Sequence, residues 1–160
     1  EGEADLRTAT TGLRRTLGDD HPETLESITA TAYCLMYQGK LEEALSLLRE
    51  AYDRRRRTLG AKHRDTLISA RDFAAVLAEN GKFKEALPYA EASVNGFRLA
   101  HGSALDSRDH EFLWAETTLS QVYLGLARYA ESEALSREAI EAGRQVWGAG
   151  HPETSVLLSN

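Results

Sequence analysis

Leu17-Gly18 followed by His21 recurs as Leu59-Gly60 followed by His63, 42 residues further on. Gly39-Lys40 returns as Gly81-Lys82, and Glu43-Ala44-Leu45 as Glu85-Ala86-Leu87, at the same offset. Residues 17–58 laid on 59–100 without a gap share 14 identities, where ordinary residue frequencies give about two or three. A third copy follows at an offset of 46, after a four-residue insertion. It ends in His151-Pro152-Glu153-Thr154, which repeats His21-Pro22-Glu23-Thr24 letter for letter. A repeat of this length is a supersecondary unit that cannot bury both its faces alone, so the copies must stack on one another.

Each copy reads as two helices. Leu25, Ile28, Ala32 and Leu35 step by three and four, one helical face. Pro22 stands in a first turn, where its missing N–H costs nothing. Gly39 supplies the left-handed residue that stops the helix. Leu41, Ala44, Leu45, Leu48, Ala51 and Tyr52 form the apolar stripe of the second helix, which Leu59-Gly60 ends. Ala32 and Ala44 are the small residues at which the two helices approach closely. The spacing predicts helices at 1–17, 22–38, 40–58, 64–80, 82–100, 108–126, 128–147 and 152–159. Pro88 removes the bond to the carbonyl of Lys84 and is expected to kink the fifth helix.

In repeat terms, 1–17 is the second helix of a preceding unit. Residues 18–59, 60–102 and 103–148 are three units, the last carrying the insertion, and 149–160 open another. Natural arrays carry polar end caps, and neither end here looks like one, so the chain reads as a piece of a longer protein. In the third copy Ser132 replaces the small residue of Ala44 and Ala86, and Ala127 replaces the stop glycine. That copy is expected to be the least regular.

Leu17, Gly18, His21, Pro22, Thr24, Leu25 and Ala32, then Gln38, Gly39, Lys40, Glu43, Ala44 and Leu45, resemble a tetratricopeptide repeat of the 42-residue kinesin-light-chain-like subtype. The resemblance covers essentially the whole chain. It implies an all-α fold, a right-handed superhelical solenoid of antiparallel helix pairs whose first helices line a concave face. It implies a protein–protein interaction module that binds a peptide or protein segment there. The inward positions it gives are Glu26, Thr29, Tyr33 and Tyr37, with Met36, on the first such helix. Ile68, Arg71, Asp72, Ala75 and Glu79 follow on the next, and Trp114, Thr117, Thr118, Gln121 and Leu124 on the third. Tyr, Trp and Arg are the residue types that commonly anchor interfaces. Members of the family often carry Asn-Asn-Leu-Ala in the first helix. This chain has Thr29-Ala30-Thr31-Ala32, Arg71-Asp72-Phe73-Ala74 and Thr117-Thr118-Leu119-Ser120 instead, so a carboxylate clamp built on those asparagines does not carry over. Two other roles fit the pattern: a scaffold segment permanently built into a larger assembly, or a sensor or regulatory array attached to a domain outside this chain.

The remaining features point away from chemistry. With 25 acidic and 19 basic side chains among 160 residues the net charge is −6, the wrong sign for general nucleic-acid affinity. Arg54-Arg55-Arg56-Arg57 lies near a helix C-terminus, where cations are favoured. Glu50 with Arg54 and Asp53 with Arg57 are i, i+4 pairs, so the run reads as a solvated outer surface. No apolar stretch reaches the length of a membrane span. Cys34 has no histidine at helical spacing to activate it. His21, His63 and His151 sit at repeat junctions as turn or capping residues. His101, Asp106, Asp109, His110 and Glu111 lie on the insertion without metal-ligand spacing. Asp106 or Ser107 is the expected cap of the next helix, and the 95–111 insertion is a second place for a partner contact. No phosphate loop and no catalytic constellation is visible. The expectation is therefore a non-enzyme without metal or cofactor, an intracellular protein whose partner is a protein or peptide. Nucleic acid, membrane insertion and a small-molecule substrate are not expected.

Overall fold

The computed structural model describes residues 2–101 and 110–147, and side chains within them except at 101, 142 and 145–147. Seven α-helices and no strand occur among these residues. They are α1 (Gly2–Leu17), α2 (Pro22–Tyr37), α3 (Leu41–Leu59), α4 (Arg64–Glu79), α5 (Phe83–His101), α6 (His110–Gly125) and α7 (Tyr129–Trp147). The expected helix at 152–159, His151 and the proposed caps Asp106 and Ser107 lie outside the described residues. So does position 108, the expected start of the helix that is described from His110 as α6.

The junctions explain the regularity. His21 and His63 take extended backbone at the N-caps of α2 and α4, and each ring Nδ1 accepts the N–H two residues on, from Glu23 at 3.3 Å and Asp65 at 3.2 Å. The recurring histidine is thus a capping residue that satisfies one orphan N–H of the helix start. At the other end, Gly39 and Gly81 have φ of 75° and 71°. The N–H of Lys40 reaches back to the Leu35 carbonyl at 2.9 Å and that of Gly39 to Met36, also at 2.9 Å. Lys82 and Gly81 make the same pair of bonds to Leu77 and Ala78. This is a Schellman closure, in which the penultimate residue must be left-handed. In the third unit Ala127 occupies that place at φ 59°, with Arg128 bonded to Tyr123 and Ala127 to Leu124. The closure survives without its glycine.

Packing is between consecutive helices from α1 to α7, and α4 also lies against α6, skipping the helix between. The small residues meet as the spacing predicts: Ala32 and Ala44, and likewise Ala74 and Ala86, are completely buried. One continuous apolar core runs from Ala32 to Leu135, and Leu25, Ile28 and Ala51 extend it towards α1 through Leu47. Tyr89 packs edge-on against both Tyr52 and Phe73, at 5.3 and 4.8 Å between ring centres, the favoured geometry for aromatic pairs.

Pro88 stands inside α5, which nevertheless runs unbroken from Phe83 to His101. The helices of the third unit are as long as those of the others: α2, α4 and α6 each have 16 residues, and α3, α5 and α7 each have 19. Its irregularity is chemical. Ser120 and Ser132 replace the paired alanines and bond to each other, Oγ to Oγ at 2.9 Å, with Ser136 Oγ 2.6 Å from Ser120.

Candidate functional site: the groove between the first helices

A groove of about 690 Å³ opens between α2 and α4, floored by the end of α3. It brings together five of the inward positions expected from sequence: Glu26, Thr29, Tyr33, Ile68 and Asp72. Leu25 and Leu59 add apolar wall, and Asp20, Glu23 and Asp65 add further carboxylates. The helix period accounts for this: Glu23, Glu26, Ala30 and Tyr33 make one stripe of α2, and Asp65, Ile68 and Asp72 make one of α4.

Arg71, Trp114, Thr117, Gln121 and Tyr37 do not line this groove. Tyr37 is 85% exposed at the end of α2, and Gln121 is exposed on α6. Thr117 Oγ1 donates to the Leu113 carbonyl at 2.9 Å, a bond within its own helix. Arg71 is only 7% exposed. Its Nε and Nη2 donate to Asp72 Oδ1 at 3.0 and 2.6 Å, its Nη1 donates to Glu111, and the guanidinium lies over the Trp114 ring. Burial opposes the Arg71 charge. Asp72 first and Glu111 second more than offset that and hold its pKa above the ordinary value. Burial likewise pushes the Tyr33 phenol up, and the neighbouring Asp72 charge adds to it, so Tyr33 stays a neutral hydrogen-bonding group.

Arg55 was hidden in the four-arginine run, and its placement corrects the reading of that run as outer surface. Its Nη1 donates to Ser69 Oγ at 2.6 Å and more weakly to Thr29 Oγ1 at 3.4 Å. It thereby ties α2 to α4 across the groove floor. One signal was available in the sequence: Arg55 aligns with Phe97, 42 residues further on, an inward position of the next unit that is 1% exposed. A long side chain there can leave the core only through the gap between first helices. The expected Asp53–Arg57 pair does not form either. Arg57 bonds Asp20 Oδ1 at 2.8 Å, and Asp53 faces Arg49 at 3.9 Å. Arg54 does pair with Glu50, at 2.8 Å, and also reaches Asp19 and Asp20. These arginines bind the α2 entry to α3, because the two loop aspartates offer closer acceptors than the next turn of the helix.

Among the described residues no group of three or more His, Cys, Asp or Glu is placed to hold a metal ion. None of the described helices is long and apolar enough to cross a membrane. Cys34 is partly exposed, and its sulfur accepts from Gln38 Nε2 at 3.4 Å.

Two models of the tetratricopeptide repeat match the chain, over residues 29–98 and 117–153. The chain belongs to the tetratricopeptide-repeat family. Among solved structures, the nearly identical TPR-like repeats of a kinesin light chain from Podosopora anserina superpose with a TM-score of 0.78 at 22% identity, over 97% of this chain and 72% of that one. A single-substitution variant of the same repeats gives 0.80 at 22% identity, over 97% and 71%. BtubC (BKLC) from P. vanneervenii gives 0.79 at 15% identity, over 94% of this chain and 58% of that one. No curated protein matches. The tetratricopeptide fold is thus that of the kinesin-light-chain-like repeats, a right-handed solenoid of antiparallel helix pairs, and the array is a protein-interaction module.

Proposed function

We propose that the module binds a peptide or protein segment along the concave side formed by α2, α4 and α6, and that it carries out no catalysis. The observation that carries this reading is the α2–α4 groove, in which apolar wall, a half-buried phenol and charged groups stand side by side on rigid helices. A surface fixed in advance spends little ordering entropy on binding. Glu26, Thr29, Tyr33 and Ile68 form its first section. Trp114, Thr117 and Gln121 on α6 continue it, and Tyr37 stands at its edge. Arg71 contributes by holding Asp72, Glu111 and Trp114 in place.

Site-specific photo-crosslinking tests this. A photoreactive side chain at Glu26 or Gln121 should capture the partner, and one at the outward positions Arg49 or Glu133 should not. Capture from the outward positions alone would move the contact to the other side of the array.

A further inference from the structure

The charges that line the groove are unequal in sign and, more to the point, unequal in how far they are already satisfied. Asp20 is held by Arg54 and Arg57, and Asp72 by Arg71. Glu23 and Glu26 have no cationic partner among the described residues, and Asp65 has only the His63 ring, 3.8 Å away. All three are exposed. The lone guanidinium among the lining residues is Arg55, and the groups it bonds, Ser69 and Thr29, are uncharged. Its remaining N–H groups are donors without a carboxylate. Between these polar groups stand Leu59, Ile68 and the ring of Tyr33.

From this arrangement we infer that the groove takes a basic peptide segment, one with lysine or arginine beside an aliphatic residue. This rests on the concave-face reading above. Glu23, Glu26 and Asp65 receive the cationic side chains, Leu59 and Ile68 the aliphatic one, and Arg55 donates to a backbone carbonyl of the segment. An acidic segment would meet three uncompensated carboxylates for one guanidinium, and like charges facing each other across an interface suppress the wrong partner. The net charge of −6 on the whole chain steers the same class of partner.

The test is an NMR titration of the labelled chain with two synthetic peptides, Lys-Leu-Lys and Glu-Leu-Glu, each between Gly-Ser flanks. The lysine peptide should shift amides of α2 and α4 and bind at least tenfold more tightly than the glutamate peptide. The variant Glu23→Gln, Glu26→Gln, Asp65→Asn should lose that advantage. Asp5→Asn, Glu85→Gln, Glu141→Gln removes the same charge away from the groove and should keep it. Equal or tighter binding of the glutamate peptide at the same amides would overturn the basic partner and leave the groove reading standing. Loss of binding in both triple variants alike would reduce the effect to overall charge and overturn the inference. Shifts elsewhere, or none with either peptide, would overturn the inference and the groove reading together. Circular dichroism melts of the variants confirm that each stays folded, since all six positions are exposed.

Discussion

Arg71 and Trp114, on α4 and α6, face each other with the guanidinium carbon 5.3 Å from the ring centre, within the range of a cation–π contact. Asp72 and Glu111 hold the same guanidinium from the other sides. Charge reversal at Arg71 therefore reports on folding before it reports on binding. Arg71→Ala leaves Asp72, only 5% exposed, without its counterion, at a cost of about 3–5 kcal/mol. Adding Asp72→Asn should recover a large part of that loss. Urea unfolding of the two single variants and the double measures it, and strict additivity would contradict the pairing.

Ala127→Gly should stabilise the chain. A left-handed non-glycine residue costs roughly 1–2 kcal/mol, and the entropy glycine gains in the unfolded chain returns about 0.4–1 of that. A net gain of about 0.5–1 kcal/mol should raise the melting temperature by a few degrees. Gly39→Ala and Gly81→Ala should shift it downwards.

Glu116 stands where the earlier units bury Ile28 and Ala70, and burial pushes its pKa from 4.5 up to about 6 against the pull of Arg98. The folded chain holds this proton more tightly than the unfolded one. Its contribution to stability is therefore complete below about pH 4.5 and is lost as pH rises through 6, roughly 2 kcal/mol in size. Glu116→Gln mimics the protonated form. Its stability relative to the parent should be near zero at pH 4.5 and should grow up to pH 7, as followed by urea midpoints across that range.

Ser120 and Ser132 satisfy each other at the α6–α7 contact. Truncating one alone removes that bond while the remaining hydroxyl keeps a second partner, Ser136 Oγ for Ser120 and the Ser120 carbonyl for Ser132, so each single change should cost about 0.5–1.5 kcal/mol. Ser120→Ala with Ser132→Ala restores the alanine pair of the first two units and should cost less than the two singles added together. A double-mutant cycle gives the coupling directly.

Thr24 Oγ1 donates to the Gly18 carbonyl at 2.8 Å, but its counterpart Thr66 is buried with no hydrogen-bond partner among the described residues. Thr66→Val should be neutral or stabilising and Thr24→Val should cost about 1 kcal/mol. Thermal melts of the two variants should move apart accordingly.

The helix pairs were legible in the sequence because their signals are local and repeated. The capping histidines and the stop glycines act within a turn, the alanine pairs within one helix pair, and each occurs more than once. The groove was half legible: the resemblance to the repeat family puts Glu26, Thr29, Tyr33, Ile68 and Asp72 among the inward positions, and all five line it. Arg71 shows the limit of that reasoning. The resemblance places it among the inward positions, but its guanidinium is held by Glu111, 40 residues away in the chain at the far end of the 95–111 insertion. Arg55 was masked by its neighbours in a run of like residues. Only comparison with Phe97 at the same repeat position separates it from Arg54 and Arg57, which bind the loop aspartates.

Because each helix leans mainly on the one before and the one after, adding or deleting one whole 42-residue copy creates a joint of a kind the chain already contains. Recombination between copies at the gene level can thus change copy number without redesigning a centre. Such a chain can lengthen the surface its helices present by one helix pair at a time, and point changes such as those at Arg55 and Glu116 can then individualise each copy.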